Sequence, residues 1–322
     1  MYIKQAYKWK HDSWRYLLGT FIIFLLGWQL IGSLPFLVVS FFKAENISTL
    51  MSAAESNFAS LYPPKSNLYL FLIMTTFIGG FIALWVAIKY IHNQTFTQLT
   101  TSRKKIDWKR FFFGFGLIAI FSIVTTAIDF YSNPDHYVVQ FEWTPFIIMF
   151  IIAVIFIPIQ TSFEEYFFRG YLMQGIGVIA RNKWLPLLIT SVIFGGLHYF
   201  NPEVEKLGDI AMVYYIGTGL FLGIITLMDE GMELALGFHA GTNLIIALLV
   251  TSDWTVFQTN SILLDLSEPA AGIEVIIPVL VIYPIFLGIM AWKYKWTNWK
   301  EKLFGKVTPP VETISIENNI SE

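Results

Sequence analysis

The sequence predicts an all-α protein: a polytopic transmembrane helical bundle of about eight spans, with both termini cytoplasmic. Three observations carry this. Of 322 residues, 55% are hydrophobic, 17% aromatic and only 14% charged, against roughly 25% charged in an ordinary soluble domain. The apolar residues fall into eight separate runs, each near the ~20 residues that a helix needs to cross the hydrocarbon core. Of the 21 Lys and Arg residues, all but Lys43, Lys65 and Lys206 fall at alternate ends of those runs, where cytoplasmic loops collect them. The abundance of aromatic and branched residues excludes disorder. A formal charge of -2 argues against a nucleic-acid binder, which carries a basic surplus. The absence of cysteine removes disulfides, thiolate metal sites and thiol nucleophiles.

The first run, approximately Leu17–Phe41, follows Lys4, Lys8, Lys10 and Arg15. It is too long for a signal-peptide core and no small-residue cleavage site follows, so it reads as an anchor. The second, Leu68–His92, leads into Arg103, Lys104, Lys105, Lys109 and Arg110, and the third spans Phe111–Phe130. These three make an N-terminal unit, 1–144. Pro145–Phe163, Trp184–Phe200, Ile210–Leu227 and Leu234–Val250 make a second unit, 145–251. The last loop and the span Ile273–Trp292 occupy 252–304, and 305–322 reads as a disordered polar tail. One loop breaks the charge pattern: Asp229-Glu230-Gly231-Met232-Glu233 belongs to the basic side yet has no basic residue.

A charge at the centre of a membrane helix costs roughly 2.5–3.5 kcal/mol on insertion scales, so such residues are rare and usually functional. Here they are concentrated in the second unit: Glu164, Glu165, Arg169, His198 and His239. Glu165 and Arg169 are four apart and share a helical face, so they can neutralise each other. Glu164 projects about 100° away and is expected to have no partner on its own helix, which frees it for acid–base work. The alternative is a Glu–Arg pair that only fixes helix packing. His198 closes Phe194-Gly195-Gly196-Leu197-His198, where both glycines are expected to let a neighbouring helix approach. If helix continues through Gly170–Ala180 to a turn near Asn182, an antiparallel hairpin brings Glu164 and His198 level. His239 and Asn243 again share a face, with Gly237 and Gly241 favouring a close helix contact. An imidazole beside a carboxamide could bind a metal, donate to an oxyanion or clamp two helices. Taken together, three helices contribute two glutamates, two histidines, an asparagine and an arginine to one water-activating site.

Glu164-Glu165-x-x-x-Arg169, Phe194-x-x-x-His198 and His239-x-x-x-Asn243, in that order, resemble the three motifs of the CPBP family of intramembrane proteases (CAAX protease and bacteriocin-processing, including the Abi proteins and type II CAAX prenyl endopeptidases). The resemblance covers roughly Pro145–Val250. It implies peptide-bond hydrolysis in a multi-pass protein of a bacterial plasma membrane, on lipidated or hydrophobic peptide substrates held in the lipid bilayer. Glu164 would activate water with the help of His198, His239 and Asn243 would hold the oxyanion, and Glu165 and Arg169 would support the first motif. No cofactor is certain; zinc is the alternative, with Glu164, His198 and His239 as ligand types suited to an open catalytic site. Competing classes are a non-catalytic membrane partner, such as an immunity or scaffolding protein, and a transporter. The chain lacks His-Glu-x-x-His and Gly-x-Ser-x-Gly, which disfavours other metallo- and serine-type membrane proteases.

Overall fold

A computed structural model of the chain describes residues 1–269 and 272–310. Six helices are long and apolar enough to cross a membrane: α1 (Ser13–Lys43), α2 (Asn67–Ile91), α3 (Trp108–Ser132), α4 (Trp143–Ala180), α6 (Ala211–Asp229) and α8 (Ile273–Tyr294). Two shorter apolar helices, α5 (Trp184–Gly196) and α7 (Glu233–Leu249), complete the set. Large apolar side chains such as Leu17, Ile120, Ile155 and Ile285 are exposed along them, as expected where the solvent is hydrocarbon. The protein is an integral membrane helical bundle.

Helix ends are set by local chemistry. Ser66 and Asp107 accept the backbone N–H of Tyr69 and Lys109, capping α2 and α3, which satisfies donors that helix starts leave orphaned. Arg181 and Glu230 end α4 and α6 in left-handed conformation at φ 54° and 60°. Within the bundle α7 lies along α3 and α4, α6 lies along α5, and α2 lies between α1 and α4.

The connecting segments gather at two ends. At one end sit the N-terminal residues, the 92–107 loop, the turn after Ala180, the 229–233 loop and the segment after Tyr294. The acidic loop that broke the charge pattern finds its cations here. Arg103 reaches Asp229 at 2.8 Å and Glu233 at 3.1 Å, Arg110 pairs with Asp229, and Lys302 lies 3.7 Å from Glu230. The loop needs no Lys or Arg of its own because other segments supply them.

One feature is added to the helical bundle and two expectations are corrected. The all-α bundle carries a small sheet at the opposite end, in which β3 (Leu263–Asp265) pairs antiparallel with β1 (Tyr137–Val139) and parallel with β2 (Val250–Ser252). These strands have three residues each, too short to leave a period in the sequence. The fifth span does not run to Phe200; α5 stops at Gly196, and His198 lies in the turn beyond it. The polar tail is not disordered from 305. Val307 is fully buried, its N–H donates to Arg181 and its carbonyl accepts from Tyr7. Residues 311–322 of that tail lie outside the described residues.

Close helix contact at the glycines is met in part. A Cβ on Gly237 would fall 1.9 Å from the Phe111 carbonyl of α3, and one on Gly195 would strike Ile216 of α6, whereas one on Gly196 meets nothing within 4 Å. The α3–α7 contact therefore depends on Gly237, and Gly196 was misread. Gly237→Val is expected to lose folded protein in a detergent thermal melt, because backbone cannot yield as a side chain can. Gly196→Ala should melt like wild type. With no native cysteine, single-cysteine labelling tests the two ends: the exposed positions 93 and 300 should react from one side of the membrane, the exposed positions 57 and 205 from the other.

Candidate active site

Helix α4 continues without a break through Gly170–Ala180, which meets the condition for bringing the first two motifs level. Its irregularities fall around Glu164 and Glu165. Pro158 lies inside the helix and Tyr166–Leu172 form a π-helical stretch, a feature often found at functional sites. Arg169 sits within that stretch and is completely buried, as is Glu165; Glu164 and His239 are each only 7% exposed. His198 and Asn243 are half-buried.

Glu165 is the organising carboxylate. Its Oε1 accepts from Arg169 Nη1 at 3.0 Å and from His239 Nδ1 at 2.8 Å. A carboxylate can only accept, so Nδ1 of His239 carries the proton and Nε2 is turned towards Glu164. That nitrogen lies 3.6 Å from Glu164 Oε2, which has no hydrogen-bond partner although it is buried. Arg169 is held further by the Gly219 carbonyl at 3.3 Å and by the Phe194 ring, 4.2 Å below its guanidinium. The Glu165–Arg169 pair expected from the spacing is present, and it also orients the third motif.

The expectation that Glu164 has no partner on its own helix is wrong. Gln160, one turn earlier, donates Nε2 to Glu164 Oε1 at 2.7 Å. Its Oε1 accepts from Asn243 Nδ2 at 3.2 Å. Gln160 was missed because a glutamine in an apolar run carries no charge. The available signal was its spacing of four from Glu164, which places both on one face.

His198 enters from the turn after α5. Its Nδ1 lies 2.8 Å from the Phe194 carbonyl; a carbonyl only accepts, so Nδ1 donates and Nε2 keeps a free lone pair. Tyr215 of α6, a second missed residue, stacks on the imidazole at 4.4 Å and 22°. Phe194 bridges the two histidines, with ring centroids 4.9 Å from His198 and 6.0 Å from His239. Among the described residues no hydrogen bond joins His198 directly to Glu164 or His239.

A catalytic zinc site needs three protein ligands around an open position. Among the described residues no group of three or more His, Asp and Glu side chains is arranged to hold a metal ion, although the contact of Nδ1 with Glu165 leaves His239 Nε2 open as a ligand atom. Glu164, His198 and His239 do not form a three-ligand set here.

Residues 142–245 match the family model for type II CAAX prenyl endopeptidase Rce1-like proteins, a range that contains all three motifs. The chain is 30% identical to the uncharacterized protein YyaK of Bacillus subtilis (strain 168) over 291 residues, which covers 90% of this chain and 95% of that protein. No solved structure matches. With a relative aligned along nearly its whole length and an Rce1-like core around Glu164, His198 and His239, the chain belongs to the CPBP family of intramembrane proteases.

Proposed function

We propose that the protein hydrolyses peptide bonds of membrane-associated, lipidated or hydrophobic peptides in a bacterial plasma membrane, with residues 145–251 as its catalytic core. The observation that carries this reading is the buried, unpartnered Oε2 of Glu164 facing His239 Nε2. In this mechanism Glu164 takes a proton from water while His198 Nε2 holds that water, and the water oxygen bonds to the substrate carbonyl carbon. Asn243 donates to the resulting oxyanion through Nδ2 and His239 through Nε2, which requires His239 to carry a proton there as well as on Nδ1, an arrangement that works best when the donors are fixed beforehand. Glu165 supplies that fixation for His239, with Arg169 neutralising it. Collapse of the intermediate breaks the C–N bond, and the proton held by Glu164 passes to the leaving amine.

Comparative membrane proteomics of wild type against Glu164→Gln and His198→Ala tests the reading. Both variants are expected to lose the same set of new peptide ends while remaining inserted. Identical peptide ends in all three would overturn proteolysis and leave a non-catalytic membrane partner as the function.

A further inference from the structure

We infer that Gln160 is a positioning residue that ties the orientation of Asn243 to the charge on Glu164; the inference rests on the proteolytic reading above. Gln160 is only 4% exposed and lies between the two side chains, bonded to both. An amide has two faces of opposite character, NH2 and C=O, and can be turned by 180° with no change of shape. Here the choice is forced. The carboxylate of Glu164 can only accept, so the NH2 of Gln160 must face it. The C=O of Gln160 is then presented to Asn243, which must answer with its own NH2. A carboxylate at 164 thus dictates the turn of Gln160, and Gln160 dictates the turn of Asn243. One Nδ2 hydrogen of Asn243 is spent on this contact, and the other is left to project as a donor. Without Gln160, Asn243 could turn its carbonyl towards the same position, where a developing negative charge would be repelled rather than held.

This relay assigns Gln160 a role distinct from that of the neighbouring Glu165, which orients His239. Each residue expected to donate to the oxyanion is then locked by a different partner on α4, Gln160 for Asn243 and Glu165 for His239. Those partners flank Glu164 at positions 160 and 165, so one helix sets the base and both donors.

The test uses Gln160→Met, which keeps the length and volume of the side chain but neither hydrogen bond. Gln160→Glu serves as a second variant that keeps the shape and the acceptor for Asn243 while withdrawing the N–H donated to Glu164. The readout is the rate at which membranes of cells producing the full-length protein accumulate those peptide ends that Glu164→Gln abolishes. Misplacing a catalytic group by about 1 Å can cost about 10²-fold; a loss of that order is expected in Gln160→Met and a smaller one in Gln160→Glu, which still presents an acceptor to the Asn243 NH2, with both variants folded in a detergent melt. In an Asn243→Ala background the loss from Gln160→Met should shrink markedly, because residues acting through one another are non-additive. A wild-type rate in folded Gln160→Met, a loss in Gln160→Glu as large as that in Gln160→Met, or losses from Gln160→Met and Asn243→Ala that simply multiply, would overturn the relay while leaving proteolysis intact. Peptide ends that do not depend on Glu164 at all would instead remove the proteolytic reading and the relay with it.

Discussion

Glu164→Gln is expected to reduce peptide-bond hydrolysis by about 10²–10⁴-fold, the range that a positioned general base contributes, while the protein stays folded. The substitution is isosteric and removes a buried carboxylate oxygen that already lacks a partner, so the bundle loses little. What is lost is the acceptor for the water proton. A second loss accompanies it, since a glutamine at 164 can face Gln160 with either end of its amide and no longer forces the turn of Asn243. Proteolysis at the wild-type rate by purified, melting-competent Glu164→Gln would end the mechanism proposed above.

The largest effect on stability is expected at Arg169. Removing one partner of a buried ion pair costs about 3–5 kcal/mol, because the other charge stays buried without compensation. Arg169→Ala would leave Glu165 with only His239 and would also empty the space over the Phe194 ring. Folded yield and melting midpoint should both fall sharply. Replacing both partners by apolar residues of similar size, as in Arg169→Met with Glu165→Leu, is expected to restore much of the stability, since paired replacement is often near neutral. Activity should not return with it, because His239 would have lost the acceptor that holds Nδ1. Recovery of activity in that double variant would mean that Glu165 does not orient His239.

The helices were legible because each is an apolar run, six of them long enough to cross a membrane, and hydrocarbon leaves the backbone of such a run no alternative to helix. The site was legible for a related reason: Glu164, Glu165, Arg169, His198 and His239 are ionisable where ionisable groups are costly. The same filter explains the omissions. Gln160 and Tyr215 are polar but uncharged and pass unnoticed among apolar neighbours, although one bonds Glu164 and the other stacks on His198. Gly196 was misread because composition alone does not say which of two adjacent glycines faces a helix. The partnership of His239 with Glu165 rather than with Asn243 joins residues 74 positions apart, and no spacing rule reaches that far.

The acidic 229–233 loop bears on how the molecule is made. The hairpin of α6 and α7 emerges from synthesis with no basic residue in its own turn, and so without the signal that orients most membrane hairpins. Its counter-charges include Arg103 and Arg110, made more than a hundred residues earlier, and Lys302, made some seventy residues later. The earlier pair can capture Asp229 and Glu233 as the hairpin arrives, and Lys302 secures Glu230 once α8 is in place. Insertion of the segment that carries His239 and Asn243 is thereby subordinated to helices already seated. An error in the 103–110 loop would be felt first as a topological fault in biogenesis.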